Sequence, residues 1–268
     1  MRTTAQSWMM RGCVLWSTGV ALAIVGVGAP ASAQESADAI VHAAIDNNST
    51  GFQSGVGRMT VLTEDKGGDR KERVILFKGA SGPAGRRTLV RLLAPDEVKG
   101  QAFLFREVKD AEDQVYWYLP AFGVTRRISG GQKKGSFMGT HFTFADLESR
   151  DIKEATYKKL PDDKIATAEV YVIEARPKHA DDSDYGKVVL FIRKTDRMLL
   201  KARFFDKAGA ELKTMFIEKL DKSGEHRYVK QMTLRPADGG LTRMTIDAVD
   251  FDAPLSDVEF TPEALSNE

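Results

Sequence analysis

The sequence predicts a mainly β protein with minor α: one large curved antiparallel sheet, a half-barrel, with short helices covering its concave face. Three observations predict it. From Gly51 onward, short segments alternate apolar and polar residues with the period of two that a half-buried strand requires. Glycine-bearing turns punctuate them at Lys66-Gly67-Gly68-Asp69, Lys207-Ala208-Gly209, Lys222-Ser223-Gly224 and Asp238-Gly239-Gly240. Connections this short join antiparallel neighbours, because parallel strands need crossovers of about a dozen residues.

The elements follow in chain order. Arg2 and Arg11 open the chain with positive charge, and an apolar run from Val14 to Val27 follows. That run is shorter than the roughly 20 residues of a membrane span and has the length of a signal-peptide core. Ala31-Ser32-Ala33 then forms a small-residue cleavage pattern with Gln34 as the first mature residue. The expectation is a cleaved signal peptide over 1–33 and a single domain over 34–268; the alternative is an uncleaved anchor. Cleavage leaves 235 residues with 37 basic against 38 acidic, and it removes Cys13, the only cysteine. Disulfides, thiol catalysis and thiolate metal sites are then excluded. Near-neutral charge excludes a dedicated nucleic-acid binder, and a 42% hydrophobic content is that of an ordinary globular chain.

Residues 36–46 read as an amphipathic helix, capped by Ser36, with Ile40, Val41, Ala44 and Ile45 on one side and Asn47-Asn48 ending it. Strands are predicted over 55–63, 71–78, 86–93, 101–108, 114–119 and 123–128. After an interruption they resume over 155–160, 166–175, 186–193, 197–205, 211–219, 227–235 and 241–250. Met198, Leu200, Ala202 and Phe204 share a predicted face opposite Lys201 and Arg203, and Met244, Ile246 and Ala248 oppose Arg243, Thr245 and Asp247. One face is therefore read as apolar and the other as wet. The cover available for the apolar face is the N-terminal helix, the segment 131–150 and a C-terminal turn opened by Thr261 and Pro262.

The interruption, Gly130 to Leu147, carries four glycines, three phenylalanines and Met138. Thr143 and Asp146 form a capping-box pattern, and Arg126, Arg127, Lys133 and Lys134 stand on the approach. A flexible aromatic flap beside an apolar sheet reads either as a lid over a cavity, opening together with helix 36–46, or as a loop plugging a gap in the core.

Catalytic patterns fail one by one. Gly130 to Ser136 lacks the lysine of a phosphate loop, and no G-x-S-x-G elbow occurs. His42, His141, His179 and His226 are scattered, and Asp181, Asp182 and Asp184 lack calcium-loop spacing. The reading is therefore a non-enzyme without metal or cofactor. Methionine is adaptable and suits cavities for acyl chains, yet each one also suits plain core filling. The predicted apolar lining or lid comprises Met59, Trp117, Phe137, Met138, Phe142, Phe144, Leu147, Met198, Leu200, Phe204, Met232 and Met244. The predicted docking or head-group patch comprises Arg126, Arg127, Lys133 and Lys134.

Tyr118-Leu119-Pro120, Arg126-Arg127-Ile128 and Gly135-Ser136-Phe137-Met138-Gly139-Thr140, followed by Phe142-Thr143-Phe144-Ala145-Asp146-Leu147, resemble the LolA-like outer membrane lipoprotein-sorting family. Phe144 stands where that pattern often has Tyr. The resemblance implies a half-barrel of about eleven strands, the fold type of LolA, LolB, RseB and LppX, and acyl chains held in the cavity. It further implies a monomeric periplasmic carrier of a lipoprotein or lipid toward the outer membrane, with an RND-type inner-membrane exporter or an outer-membrane acceptor as partner. The alternative of the same fold is an envelope sensor or exporter adaptor that ferries nothing; a hydrolase of envelope lipids has no motif support.

Overall fold

In a computed structural model of the protein, thirteen strands join edge to edge in a single open, curved antiparallel sheet. The structure describes residues 35–46, 54–82, 85–109, 111–147, 154–179 and 183–267. The expected signal segment with Ala33 and Gln34, the Asn47-Asn48 helix end, and Asp181 and Asp182 lie outside the described residues. Residues Glu35–Glu268 form one compact unit.

Helix α1 (Ala37–Asp46) opens it, with the Ala39 amide donating to Ser36 Oγ at 3.1 Å as the cap predicts. The first strands are β1 (Gly55–Glu64), β2 (Arg70–Gly82), β3 (Gly85–Ala94), β4 (Ala102–Arg106), β5 (Gln114–Leu119) and β6 (Val124–Ile128). The second set is β7 (Ala155–Ile165), β8 (Ala168–Pro177), β9 (Lys187–Arg193), β10 (Leu199–Phe205), β11 (Glu211–Ser223), β12 (His226–Pro236) and β13 (Leu241–Asp250). Each observed strand overlaps a predicted one, and the sheet exceeds the eleven strands that the resemblance implies.

The order β6-β5-β4-β3-β2-β1-β13-β12-β11-β10-β9-β8-β7 describes two meanders joined at a central seam between β1 and β13. Consecutive strands pair as hairpins in both meanders. The exception is the step from β6 to β7, which occupy the two opposite edges of the sheet. The interruption read in the sequence is therefore a strap that must cross a face of the sheet to connect its outermost strands.

Strand alternation fixes which face. Phe103 and Phe105 of β4 belong to the large cluster containing Val61, Met244 and the strap residues Phe137, Phe142 and Phe144. Ala102 and Leu104 point the other way and join Leu89, Phe260 and Leu265. Helix α1 packs through Ile40, Val41 and Ala44 on Ile173 and Ile192 of β8 and β9. Leu190, which also packs there, lies directly opposite Ala202, two residues from Phe204 of the strap cluster. Helix and strap thus cover different regions of the same, concave face and share no cluster.

Two expectations are corrected here. The C-terminal turns, Asp257–Phe260 and Glu263–Ser266, cover the opposite face of β3–β5, burying Phe260 and Leu265. That end of the sheet is apolar on both faces. Leu200 does not share a face with Phe204: a bulge between Leu199 and Lys201 inserts one residue, and Leu200 packs on the far side with Val189, Phe191 and Phe205.

Candidate functional site

The strap is built around a small antiparallel turn. Ser136 bridges to Thr143, the Phe137 amide donates to the Phe142 carbonyl at 2.7 Å, and the Phe144 amide donates to the Gly135 carbonyl at 3.2 Å. This turn drives three rings into the concave face. Phe137 meets Phe103 edge-on at 5.0 Å, Phe144 at 5.5 Å and Phe105 at 5.6 Å, while Phe103 stacks on Trp117 at 5.7 Å. Burying the three strap phenylalanines supplies about 1.5–3 kcal/mol each.

Polar anchors hold both ends of the strap. The predicted capping box forms, with the Thr143 amide 2.7 Å from Asp146 Oδ2 and the Asp146 amide 3.2 Å from Thr143 Oγ1. Asp146 is the hub of the second half. It pairs with Lys213 of β11 at 2.6 Å, their side chains 4% and 9% exposed, and accepts from the Tyr185 hydroxyl at 2.6 Å. Lys213 also donates to the His141 carbonyl at 3.2 Å. The His141 ring lies 2.8 Å from Thr242 Oγ1 of β13, and burial pushes its pKa below the usual histidine value. At the first half, Lys133 is buried, pairs with Glu112 at 2.9 Å and donates to the Asp113 carbonyl at 2.8 Å.

Ten of the twelve predicted lining residues meet in this one cluster. Phe137, Phe142, Phe144 and Met244 lie in its buried core, with Met59, Trp117, Met138, Leu147, Phe204 and Met232 packed around it. Met198 and Leu200 do not join it: Met198 is buried in the β9–β10 turn, and the bulge turns Leu200 away. The four predicted cations do not form one patch. Arg126 and Arg127 are exposed neighbours on edge strand β6 that project to opposite faces, opposite Trp117 and Tyr116. Lys133 is turned inward as a strap anchor, and Lys134 pairs with Asp184.

The sequence reading passed over Arg73, Thr63 and Lys213. Arg73 occupies the inward phase of β2, in step with Ile75 and Phe77, so period-two counting could have found it. A cleft of about 850 Å³ also opens on the opposite face, lined by Leu76, Leu89, Leu93, Arg91 and, from the C-terminal turns, Val258 and Glu259. Among the described residues, no cluster of three metal-ligating side chains occurs, and no helix is long and apolar enough to cross a membrane.

An open antiparallel half-barrel with a helix and a strap on its concave face is a LolA-like fold. A family model with the description "Uncharacterized protein" matches residues 84–267, and the chain belongs to that family. Solved structures give the fold by comparison. A domain from Vibrio parahaemolyticus named for outer membrane lipoprotein sorting is 25% identical, with a TM-score of 0.77 over 85% of this chain and 98% of that one. A DUF1329 family protein from Desulfovibrio piger is 24% identical, again with TM-score 0.77 over 85% and 98%. A LolA superfamily protein from Nitrosomonas europaea is 17% identical, with TM-score 0.68 over 86% and 99%. Among curated proteins, none matches this chain.

Proposed function

We propose that the protein is a periplasmic carrier that takes up the acyl chains of a lipoprotein or lipid on its concave face. It delivers them toward the outer membrane, with an RND-type exporter or an outer-membrane acceptor as partner. The observation that carries this reading is the nature of the concave cover. The central seam is lined by adaptable methionines, Met59, Met232 and Met244, and what lies on it is a connecting strap rather than a second sheet. An acyl chain that displaces the strap rings exchanges one apolar contact for another, at about 0.8 kcal/mol per buried CH₂.

The likeness to a domain named for lipoprotein sorting supports the same reading. Native mass spectrometry of protein purified from periplasm tests it, and co-purified lipid is the expected result. Recovery of lipid-free protein that also fails to take up a fluorescent fatty acid would sink it.

A second reading, a docking adaptor, draws on one surface. Phe122 is 73% exposed at the tip of the β5–β6 hairpin, two residues before Val124 and close to Arg126 and Arg127. Charge reversal at Arg126, Arg127 and Lys134 that abolished partner docking while leaving lipid uptake intact would favour the adaptor.

A further inference from the structure

Arg73 places a guanidinium beside a largely apolar stretch of the concave face, among Val61, Ile75 and Phe77. It pairs with fully buried Val61 of β1 and is followed on the same face by Ile75 and Phe77. Its Nη1 is shielded from solvent and has no hydrogen-bond partner. Burial pushes its pKa down. The side chain as a whole is half-buried, and a donor nitrogen shut away from water without a partner carries a desolvation cost.

A second orphan stands beside it. Thr63, 7% exposed, faces Lys71 while Val61 faces Arg73, so Thr63 and Arg73 are diagonal neighbours on the concave face. The Thr63 hydroxyl also has no partner. Its other cross-strand neighbour, Thr242, is occupied by His141 of the strap. The strap runs directly above: a Cβ on Gly139 would stand 3.5 Å from Arg73 Nη2. There the backbone takes two successive left-handed residues, Met138 at φ 53° and Gly139 at φ 65°. For a non-glycine residue such as Met138 this conformation costs about 1–2 kcal/mol.

From this juxtaposition we infer that Arg73 and Thr63 form an anion seat beneath the strap, which receives the single anionic group of an acidic amphiphile. A guanidinium fork matches the two oxygens of a carboxylate or phosphate, and the threonine hydroxyl donates to a third position. Val61, Met138 and Met244 supply the apolar surroundings in which the attached chain lies. The inference rests on the carrier reading and deepens it: the cargo is an acidic amphiphile rather than any hydrocarbon. The corner at Met138 and Gly139, strained at Met138, is the part of the strap that the head group lifts.

The test compares palmitate, hexadecanol, phosphatidylglycerol, dioleoylglycerol and inorganic phosphate as ligands at one pH, for the wild type, Arg73→Gln, Arg73→Lys and Thr63→Val. Palmitate or phosphatidylglycerol is expected to bind the wild type more tightly than the neutral amphiphile of matching chain. Which of the two is preferred identifies the head group as carboxylate or phosphodiester. Arg73→Gln should weaken the acidic ligand roughly 10- to 100-fold and leave the neutral one unchanged. Arg73→Lys should fall between, because it keeps the charge and loses the fork.

Without ligand, Arg73→Gln and Thr63→Val should melt no lower than the wild type, since the first removes a charge that no partner of Nη1 offsets and the second an unpaired hydroxyl. Lower melting of both would mean that the two side chains already serve the fold, and would overturn the seat. Equal binding of acidic and neutral amphiphiles, or inorganic phosphate binding as tightly as the acidic lipids, would also overturn it while leaving the carrier reading standing. Failure of all the amphiphiles to bind overturns both.

Discussion

Replacing Asp146 by Asn should loosen the strap without unfolding the sheet. Asp146 and Lys213 meet at 2.6 Å with side chains 4% and 9% exposed. Removing one charge from a pair this dry leaves the other uncompensated, a loss of about 3–5 kcal/mol. Lys213 would keep the His141 carbonyl and, in place of the carboxylate, only a neutral amide oxygen. At about 1.4 kcal/mol per factor of ten, the undocked population should rise roughly 100- to 4000-fold.

Hydrogen exchange reads this directly at the strap amides of Phe137, Thr140 and Phe144, each bonded within the strap. Amides of the β1–β13 seam serve as the control. Lys213→Met should cost less than Asp146→Asn, because Asp146 retains the Tyr185 hydroxyl and the Thr143 amide as donors. The double variant should be less loosened than Asp146→Asn alone, since no buried charge is left unpaired. Strap amides that exchange at wild-type rates in Asp146→Asn would refute the claim that this pair clamps the strap. So would a double variant whose two effects simply add.

Other parts of the molecule answer to separate measurements. Gly57→Ala should destabilise by about 1–3 kcal/mol in urea unfolding, because the added Cβ would stand 2.3 Å from the Phe77 ring and 2.8 Å from the Ala248 carbonyl. Phe137→Ala should cost about 3–5 kcal/mol and accelerate exchange across the strap, since the ring contacts Phe103, Phe105 and Phe144. The His141 pKa is held below its ordinary 6.5 by burial first, with Lys213 adding to the shift and Asp238 and Asp65 opposing it. The neutral ring is therefore favoured in the folded state. Its contribution is intact above pH 6.5 and is lost as pH falls through the window below that value, so strap exchange should rise there and His141→Gln should flatten the rise. Glu259 is held below the usual carboxylate range by its bonds from Lys78 and the Ser256 amide. Docking of the C-terminal turns should therefore weaken only as pH drops below 4.5, monitored by proteolysis of the tail.

Strand positions were legible because alternation and turn chemistry act over a few residues. The capping box at Thr143 and Asp146 was legible for the same reason. What stayed hidden depends on partners distant in the chain. Lys133 reads as a surface cation until Glu112 and the Asp113 carbonyl are brought to it. A bulge that turns Leu200 away leaves no mark in its immediate neighbours. The run Ala102-Phe103-Leu104-Phe105, buried at each position, did carry a readable sign: continuous apolar character means cover on both faces. That sign calls for a second cover opposite the strap, and the C-terminal turns supply it.

The seam between β1 and β13 has a consequence for how the chain reaches this state. Within each meander every pairing is a neighbouring hairpin, closed over short loops, whereas the seam joins residues such as Thr60 and Asp247, whose side chains bond at 2.9 Å across 187 positions. Loop closure on that scale is slow compared with hairpin formation. The strap cannot settle earlier, because it is fastened to the β4–β5 loop by Lys133 and to β11 and β13 by Asp146 and His141. Until the seam closes, the apolar residues that line it, Val61 and Met244 among them, lack their partners across it, and two unpaired strand edges stand open to aggregation.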